Sequence, residues 1–200
     1  MNQIIKNTII LFVITMVAGI CLGTVHDITL APIAQAQEAA ATKTYQEVYP
    51  DAASFDEPQE LADAVTADSI SEWGFGKVTI NDAKEALDAS GNQIGYLITS
   101  TSAESYGGNV QIAVGITNEG ELTGIGFLSI SDTPGLGMRA KEPDFKDQFI
   151  GKKAENLEVT KTGASADNQI EAISGATITS KAVTNATDAA IYFVANCLAQ

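Results

Sequence analysis

Between Lys6 and His26 the chain carries no charge. Asn7 to Val25 reads NTIILFVITMVAGICLGTV, an apolar run about long enough to cross the hydrocarbon core of a bilayer as a helix. Beyond it, the Ala/Gln-rich stretch Ala31 to Thr42 reads as a linker or the start of a helix. Tyr45 to about Trp73 is strongly acidic with scattered apolar positions, and Ala64, Val65 and Ile70 hint at short helices there. From Lys77 onward the pattern changes to that of strands. Lys77–Ile80 and Gln93–Thr101 are strand-like, separated by the turn chemistry of Ser90-Gly91-Asn92. Asn109 to Thr117 alternates, with Val110, Ile112, Val114 and Ile116 on one face. Asn118-Glu119-Gly120 predicts a turn and Glu121 to Ile130 the partner strand. This β-meander predicts an antiparallel sheet with one buried face, covered by helices.

Asp144 to Ile150 predicts a short helix with Phe145 and Phe149 one turn apart, and Leu157 to Thr160 a further strand. The clearest helix runs from about Thr179 to Leu198. Val183, Ala186, Ala190, Phe193, Val194 and Cys197 trace one of its faces, and Thr179 or Ser180 supplies the N-cap. The expected fold class is therefore α+β: an N-terminal transmembrane helix, then an antiparallel sheet packed with helices. The expected domains are an anchor over 1–27, a linker and acidic helical segment over 28–75, and a folded domain over 76–200.

Two rivals to a retained anchor are weaker. Ala34-Gln35-Ala36 mimics a signal-peptide cleavage site, but His26, Asp27 and Pro32 separate it from the apolar run. A lipoprotein reading centred on Cys21 fails because Ile20 stands where a small residue is wanted. Lys6 precedes the run and Asp27 follows it, so the positive-inside rule places the N-terminus in the cytoplasm and the remainder outside. Gly19 and Gly23 have the GxxxG spacing that lets membrane helices approach closely; small residues facing lipid are the alternative.

The formal net charge of −14 over 200 residues argues against nucleic-acid binding. Two cysteines, Cys21 and Cys197, and one histidine, His26, supply no metal-ligand spacing, so zinc, iron–sulfur and haem sites are not expected. The membrane boundary accounts for His26, which is given no catalytic role. Arg139, Lys141, Lys146, Lys152, Lys153, Lys161 and Lys181 gather in the last third of the chain. They read first as a solvated face, and otherwise as a balance for a phosphate or a match to a partner.

Three short segments carry candidate chemistry. Ser174-Gly175-Ala176-Thr177-Ile178-Thr179-Ser180 enters the final helix with small residues, four hydroxyls and the positive end of the helix dipole in one turn. It could hold a phosphate by hydrogen bonds or by an ester, although a plain Ser/Thr cap is the simpler reading of the residues alone. Ser131-Asp132-Thr133-Pro134-Gly135-Leu136-Gly137 is a Pro-Gly turn after a strand. Tyr106-Gly107-Gly108 follows the strand ending near Thr101.

Together and in this order, these segments resemble the FMN-binding domains of the RnfG and NqrC type. Ile173 to Ser180 is similar to that family's flavinylation motif, Thr133 to Gly137 to its Thr-Pro-Gly-Leu-Gly loop, and Tyr106-Gly107-Gly108 to its Tyr-Gly-Gly segment. The resemblance extends over nearly the whole chain, including Val48-Tyr49-Pro50. Glu171 stands where the motif usually has Asp, and Asp132 where the loop usually has Glu. The resemblance implies an FMN-binding domain over 76–200, with FMN joined by a phosphoester to the Thr177 hydroxyl; a flavin transferase would take it from FAD. Thr179 is the fallback acceptor. It implies that Ser174, Gly175, Ala176, Thr179, Ser180, Thr133, Leu136, Gly137 and Tyr106 surround the flavin, Leu136 on the ring face and Thr133 at its polar edge. It further implies an electron-relay subunit, single-pass in the cell inner membrane with an extracytoplasmic domain. The partners would be the membrane and peripheral subunits of an Rnf ion-translocating ferredoxin:NAD oxidoreductase. An NqrC-type subunit of a Na+-pumping NADH:quinone reductase, or a non-redox anchored scaffold, are the alternatives.

Overall fold

The computed structural model describes residues 2–67, 73–153 and 156–198. The chain forms two compact units, Met1–Thr42 and Lys43–Gln200. The first is occupied by helix α1, Gln3–Val48, whose last turns belong to the second unit. The Ala31–Thr42 stretch is helical throughout and carries Pro32 inside the helix. Its alanines are the strongest helix formers available and outlast the hydrogen bond that Pro32 removes. Among the described residues α1 is the one helix long and apolar enough to span a membrane. Its large apolar side chains from Ile9 to Leu30 are all exposed.

The second unit is built on a five-stranded antiparallel sheet in the order β1-β2-β3-β4-β5. The strands are β1 Ser54–Asp56, β2 Val78–Leu87, β3 Gln93–Ser105, β4 Gly108–Thr117 and β5 Leu122–Ile130. Helix α2, Gln59–Ala67, lies between β1 and β2 in the chain and contains Ala64 and Val65; Ile70 lies outside the described residues. The expected meander is present, with two strands longer than their local pattern indicates. β2 continues through Asn81–Leu87, a stretch of mostly helix-favouring composition, because it pairs on both sides, Lys84 with Leu97 and Phe55 with Ala86. β3 runs on to Ser105, which makes Tyr106-Gly107 the two-residue turn between paired Ser105 and Gly108.

A helical segment α3, Pro143–Lys146, passes into a 3-10 turn, Asp147–Phe149, and brings Phe145 and Phe149 edge to face at 5.6 Å. Strands β6, Glu158–Thr160, and β7, Gln169–Glu171, form a small parallel pair. Helix α4, Thr177–Phe193, continues as a π-helical turn, Val194–Leu198.

α4 lies along β3 and covers the sheet face formed by Val110, Ile112, Val114 and Ile116, all fully buried. Val183, Ala186, Ala190 and Phe193 meet them there, as the helical period requires. The Ser100 hydroxyl donates to the Ala186 carbonyl at 2.9 Å and ties strand to helix.

The expectation of one buried face is corrected, because the centre of the opposite face is covered too. Val48 packs there on Leu97 and Ala113, and Tyr49 and Ala52 on Ala86. The surface beneath them is made of small residues: a β-carbon on Gly126 would stand 2.6 Å from Val48 Cγ2 and closer still to Thr44 Cγ2. Two hydrogen bonds fix this end of α1 to the sheet. Tyr49 Oη donates to the Ile94 carbonyl at 2.8 Å, and Thr123 Oγ1 donates to the Val48 carbonyl at 2.7 Å.

Candidate functional site

The first turn of α4 is held from inside by hydroxyls that the sequence pattern assigns to the cap. The N-cap position is Ala176, with no side-chain cap, and Thr179 and Ser180 are the third and fourth residues of the helix, fully buried. The expectation that Thr179 or Ser180 caps the helix is thus corrected: the helix starts two residues earlier than its apolar period shows. Ser180 Oγ donates to the Ala176 carbonyl and accepts from the Ile173 N–H, both at 3.0 Å. These bonds fold the incoming chain back onto the turn. Gly175 makes the fold-back with φ of +79°, a conformation that an L side chain resists.

The first helical hydrogen bond runs from Ser180 N to the Ala176 carbonyl. The N–H groups of Thr177, Ile178 and Thr179 therefore precede the helix ladder, and Ala176 at the N-cap offers them no side-chain hydrogen bond. Such a helix mouth favours an anion. Thr177 is half-buried, Ser174 and Gly175 are exposed, and Ile178 is 54% exposed.

The loop after β5 meets this turn. Asp132 is buried, and its carboxylate accepts from three donors on three segments. Ser105 Oγ, at the end of β3, donates to Oδ2 at 2.7 Å. The Gly107 N–H of the β3–β4 turn donates to Oδ1. Thr179 Oγ1 of α4 donates to Oδ2 through a short hydrogen bond. The packing around the carboxylate is close. A β-carbon on Gly107 would lie 2.6 Å from Asp132 Oδ1, and one on Gly137 would meet Oδ2 and stand 2.7 Å from Thr179 Oγ1. Leu136, 44% exposed, extends over the motif, its Cδ2 only 3.1 Å from where a Gly175 β-carbon would stand. The Thr133 carbonyl accepts from the Leu136 and Met138 N–H groups at 3.1 and 3.3 Å, which shapes the loop, while its side chain lies on the exposed surface.

The three segments singled out in the sequence thus converge. Gly137, Gly107 and Thr179 meet at Asp132, and Leu136 meets Gly175. Tyr106 projects from the same corner, 72% exposed. Sequence reasoning missed Ser105, and it read Asp132 as a variant position in a loop rather than as the point where the segments join. A bond across 47 residues leaves no local period to detect.

The surroundings are mixed in charge. Arg139 pairs with Glu142 at 3.2 Å, and Lys181 is exposed one turn after Thr177. Farther along α4, Asp188 is buried and accepts the Leu157 N–H at 2.9 Å; burial pushes its carboxyl up to about 7. Among the described residues, no group of three or more His, Cys, Asp or Glu is placed to hold a metal ion.

Residues 105–192, which include all three segments, match the family model described as FMN-binding domain. Three relatives, each an RnfG subunit, align over nearly their full length. That of a Na+-translocating ferredoxin:NAD+ oxidoreductase complex of Acetobacterium woodii is 34% identical, over 96% of this chain and 92% of the relative. That of an ion-translocating oxidoreductase complex of Methanosarcina acetivorans is 31% identical, over 96% and 95%. That of a proton-translocating ferredoxin:NAD+ oxidoreductase complex of Clostridium ljungdahlii is 30% identical, over 95% and 91%.

Proposed function

The chain belongs to the RnfG family of ion-translocating oxidoreductase subunits, and from that membership we propose that it is an electron-relay subunit holding FMN on Thr177. The reading rests on the match to the FMN-binding domain and on near-full-length relatives named as subunits of ferredoxin:NAD+ oxidoreductase complexes. One observation supports this choice of residue. Of the three hydroxyls in the first turn of α4, those of Thr179 and Ser180 are buried and engaged internally, while Thr177 stands at the uncapped mouth.

The residues present fit the cofactor. The N–H groups of Thr177, Ile178 and Thr179 and the helix dipole offer a seat for a phosphate. Lys181, exposed at i+4 from Thr177, adds a positive charge one turn along the same helix. Leu136 and Ile178 offer exposed apolar surface to a flat ring. FMN, when bound, supplies one- and two-electron redox chemistry; the protein positions it and sets its electrostatics.

Attachment is a phosphoryl transfer without redox change. The Thr177 Oγ–P bond forms, the pyrophosphate P–O bond of FAD breaks, AMP leaves, and the hydroxyl proton is released. A flavin transferase is the proposed catalyst. The apolar part of α1 serves as a single-pass anchor in the cytoplasmic membrane, with the sheet domain outside the cytoplasm. Anchoring raises the effective concentration of the domain beside the other subunits of the complex.

In-gel fluorescence after denaturation tests the site. The chain expressed with a flavin transferase gives a fluorescent band, Thr177→Val gives none, and peptide mass mapping places the added FMN on Thr177. A dark band from the unaltered chain, with active transferase present, overturns the reading and leaves an anchored scaffold.

A further inference from the structure

We propose that Asp132 is a positioning residue for the modification of Thr177: its carboxylate pins the first turn of α4 through Thr179 and so turns the Thr177 hydroxyl outward. The inference rests on the reading of Thr177 as the flavin acceptor.

Successive residues of an α-helix are about 100° apart, so Thr177 and Thr179 point about 200° apart around the axis. Fixing the Thr179 hydroxyl on a buried carboxylate therefore fixes the opposite side of the turn. The fixing point is itself immobilised, because the same carboxylate accepts from Ser105 Oγ at the end of β3 and from the Gly107 N–H in the following turn. The bond from the Ile173 N–H to Ser180 Oγ ties the incoming chain to the turn but does not reach the sheet; the bond from Thr179 to Asp132 joins the turn to the end of β3. Nor is there space to repack: Gly107 and Gly137 each abut the carboxylate, leaving no room for a β-carbon. In the phosphoryl transfer, an acceptor whose direction is set in advance needs less ordering by the transferase, and pre-orientation of this kind is worth orders of magnitude in rate.

Asp132→Asn keeps the shape and one acceptor oxygen for Gly107 N–H, but its amide nitrogen cannot accept from Ser105 or Thr179. Thr179→Val removes one bond at nearly constant volume, and Thr179→Ser restores it. Ser100→Ala removes a buried bond to α4 elsewhere and controls for simple loss of stability.

The test uses full-length chain, made without transferase and purified in detergent, then incubated with purified flavin transferase and FAD. Flavin per chain is followed by in-gel fluorescence and intact mass, with circular dichroism as the check on fold. The expected result is attachment slowed at least tenfold in Asp132→Asn and Thr179→Val, near-normal in Thr179→Ser and in Ser100→Ala, and no slower in the Asp132→Asn/Thr179→Val double variant than in Asp132→Asn. Wild-type rates in a folded Asp132→Asn or Thr179→Val chain overturn the proposal, as does equal slowing in Ser100→Ala. If Asp132→Asn does not fold, the comparison of Thr179→Val with Thr179→Ser decides. A wild-type chain that stays unmodified under these conditions instead removes the Thr177 reading on which the proposal stands.

Discussion

Leu136 lies over Gly175 with its Cδ2 3.1 Å from the position of a β-carbon, so the loop after β5 and the turn before α4 close on each other without a side chain between them. Gly175 is also at φ +79°. Gly175→Ala is therefore expected to destabilise the domain by about 1–2 kcal/mol, mostly through the backbone. Adding Leu136→Ala should recover only the steric part. Thermal unfolding of the detergent-solubilised chain and of the double variant separates the two; full recovery would show that the backbone conformation costs nothing.

Asp188 gives a pH dependence with a defined sign. Its folded carboxyl is raised to about 7 by burial, whereas in an unfolded chain it titrates near 4. Between these values the folded state holds the extra proton, so the contribution of Asp188 to stability falls as pH rises from about 4 through 7 and is gone above that. The gap corresponds to at most on the order of 4 kcal/mol. Asp188→Asn keeps an acceptor for the Leu157 N–H and removes the titration. Its melting temperature is expected to exceed that of the unaltered chain at pH 8, with the difference vanishing near pH 4. An equal difference at both pH values would mean that Asp188 is not the titrating group.

Gly126 is the seat of the end of α1. A larger residue there meets Val48 and Thr44 and forces the helix end off the sheet. Gly126→Val is expected to cost about 1–3 kcal/mol, the usual penalty for overpacking, and to expose the chain around Tyr49 to protease. Limited proteolysis followed by mass mapping reads this out; unchanged cleavage in a destabilised variant would place the strain elsewhere.

Tyr49→Phe removes the hydrogen bond to the Ile94 carbonyl but leaves that carbonyl a second donor, the Asn118 N–H at 3.2 Å. No buried acceptor is orphaned, so the expected cost is low, about 0.5–1 kcal/mol in chemical denaturation. A loss of several kcal/mol would indicate that the hydroxyl has a larger role in holding α1.

The meander was legible because Val110 to Ile116 alternates and each turn carries its own chemistry. The α4 face was legible because its apolar residues follow the helical period over several turns. β1 and the second half of β2 were not, because three residues carry no period and Asn81–Leu87 becomes a strand only by pairing. The start of α4 was missed for a related reason: Thr179 and Ser180 look like caps, yet their hydroxyls turn inward to partners that local sequence does not reveal. The residues of the three loops were identified individually, but their junction at Asp132 depends on the β3–β4 hairpin and β5 ending at one corner of the sheet.

Helix α4 follows all five strands along the chain and supplies the cover for the face of Val110, Ile112, Val114 and Ile116. Consecutive hairpins can zip from local contacts alone, whereas four adjoining aliphatic side chains stay wet until the helix docks. The sheet without α4 therefore presents an adhesive face, and its cover has to be delivered from roughly fifty residues farther along the chain.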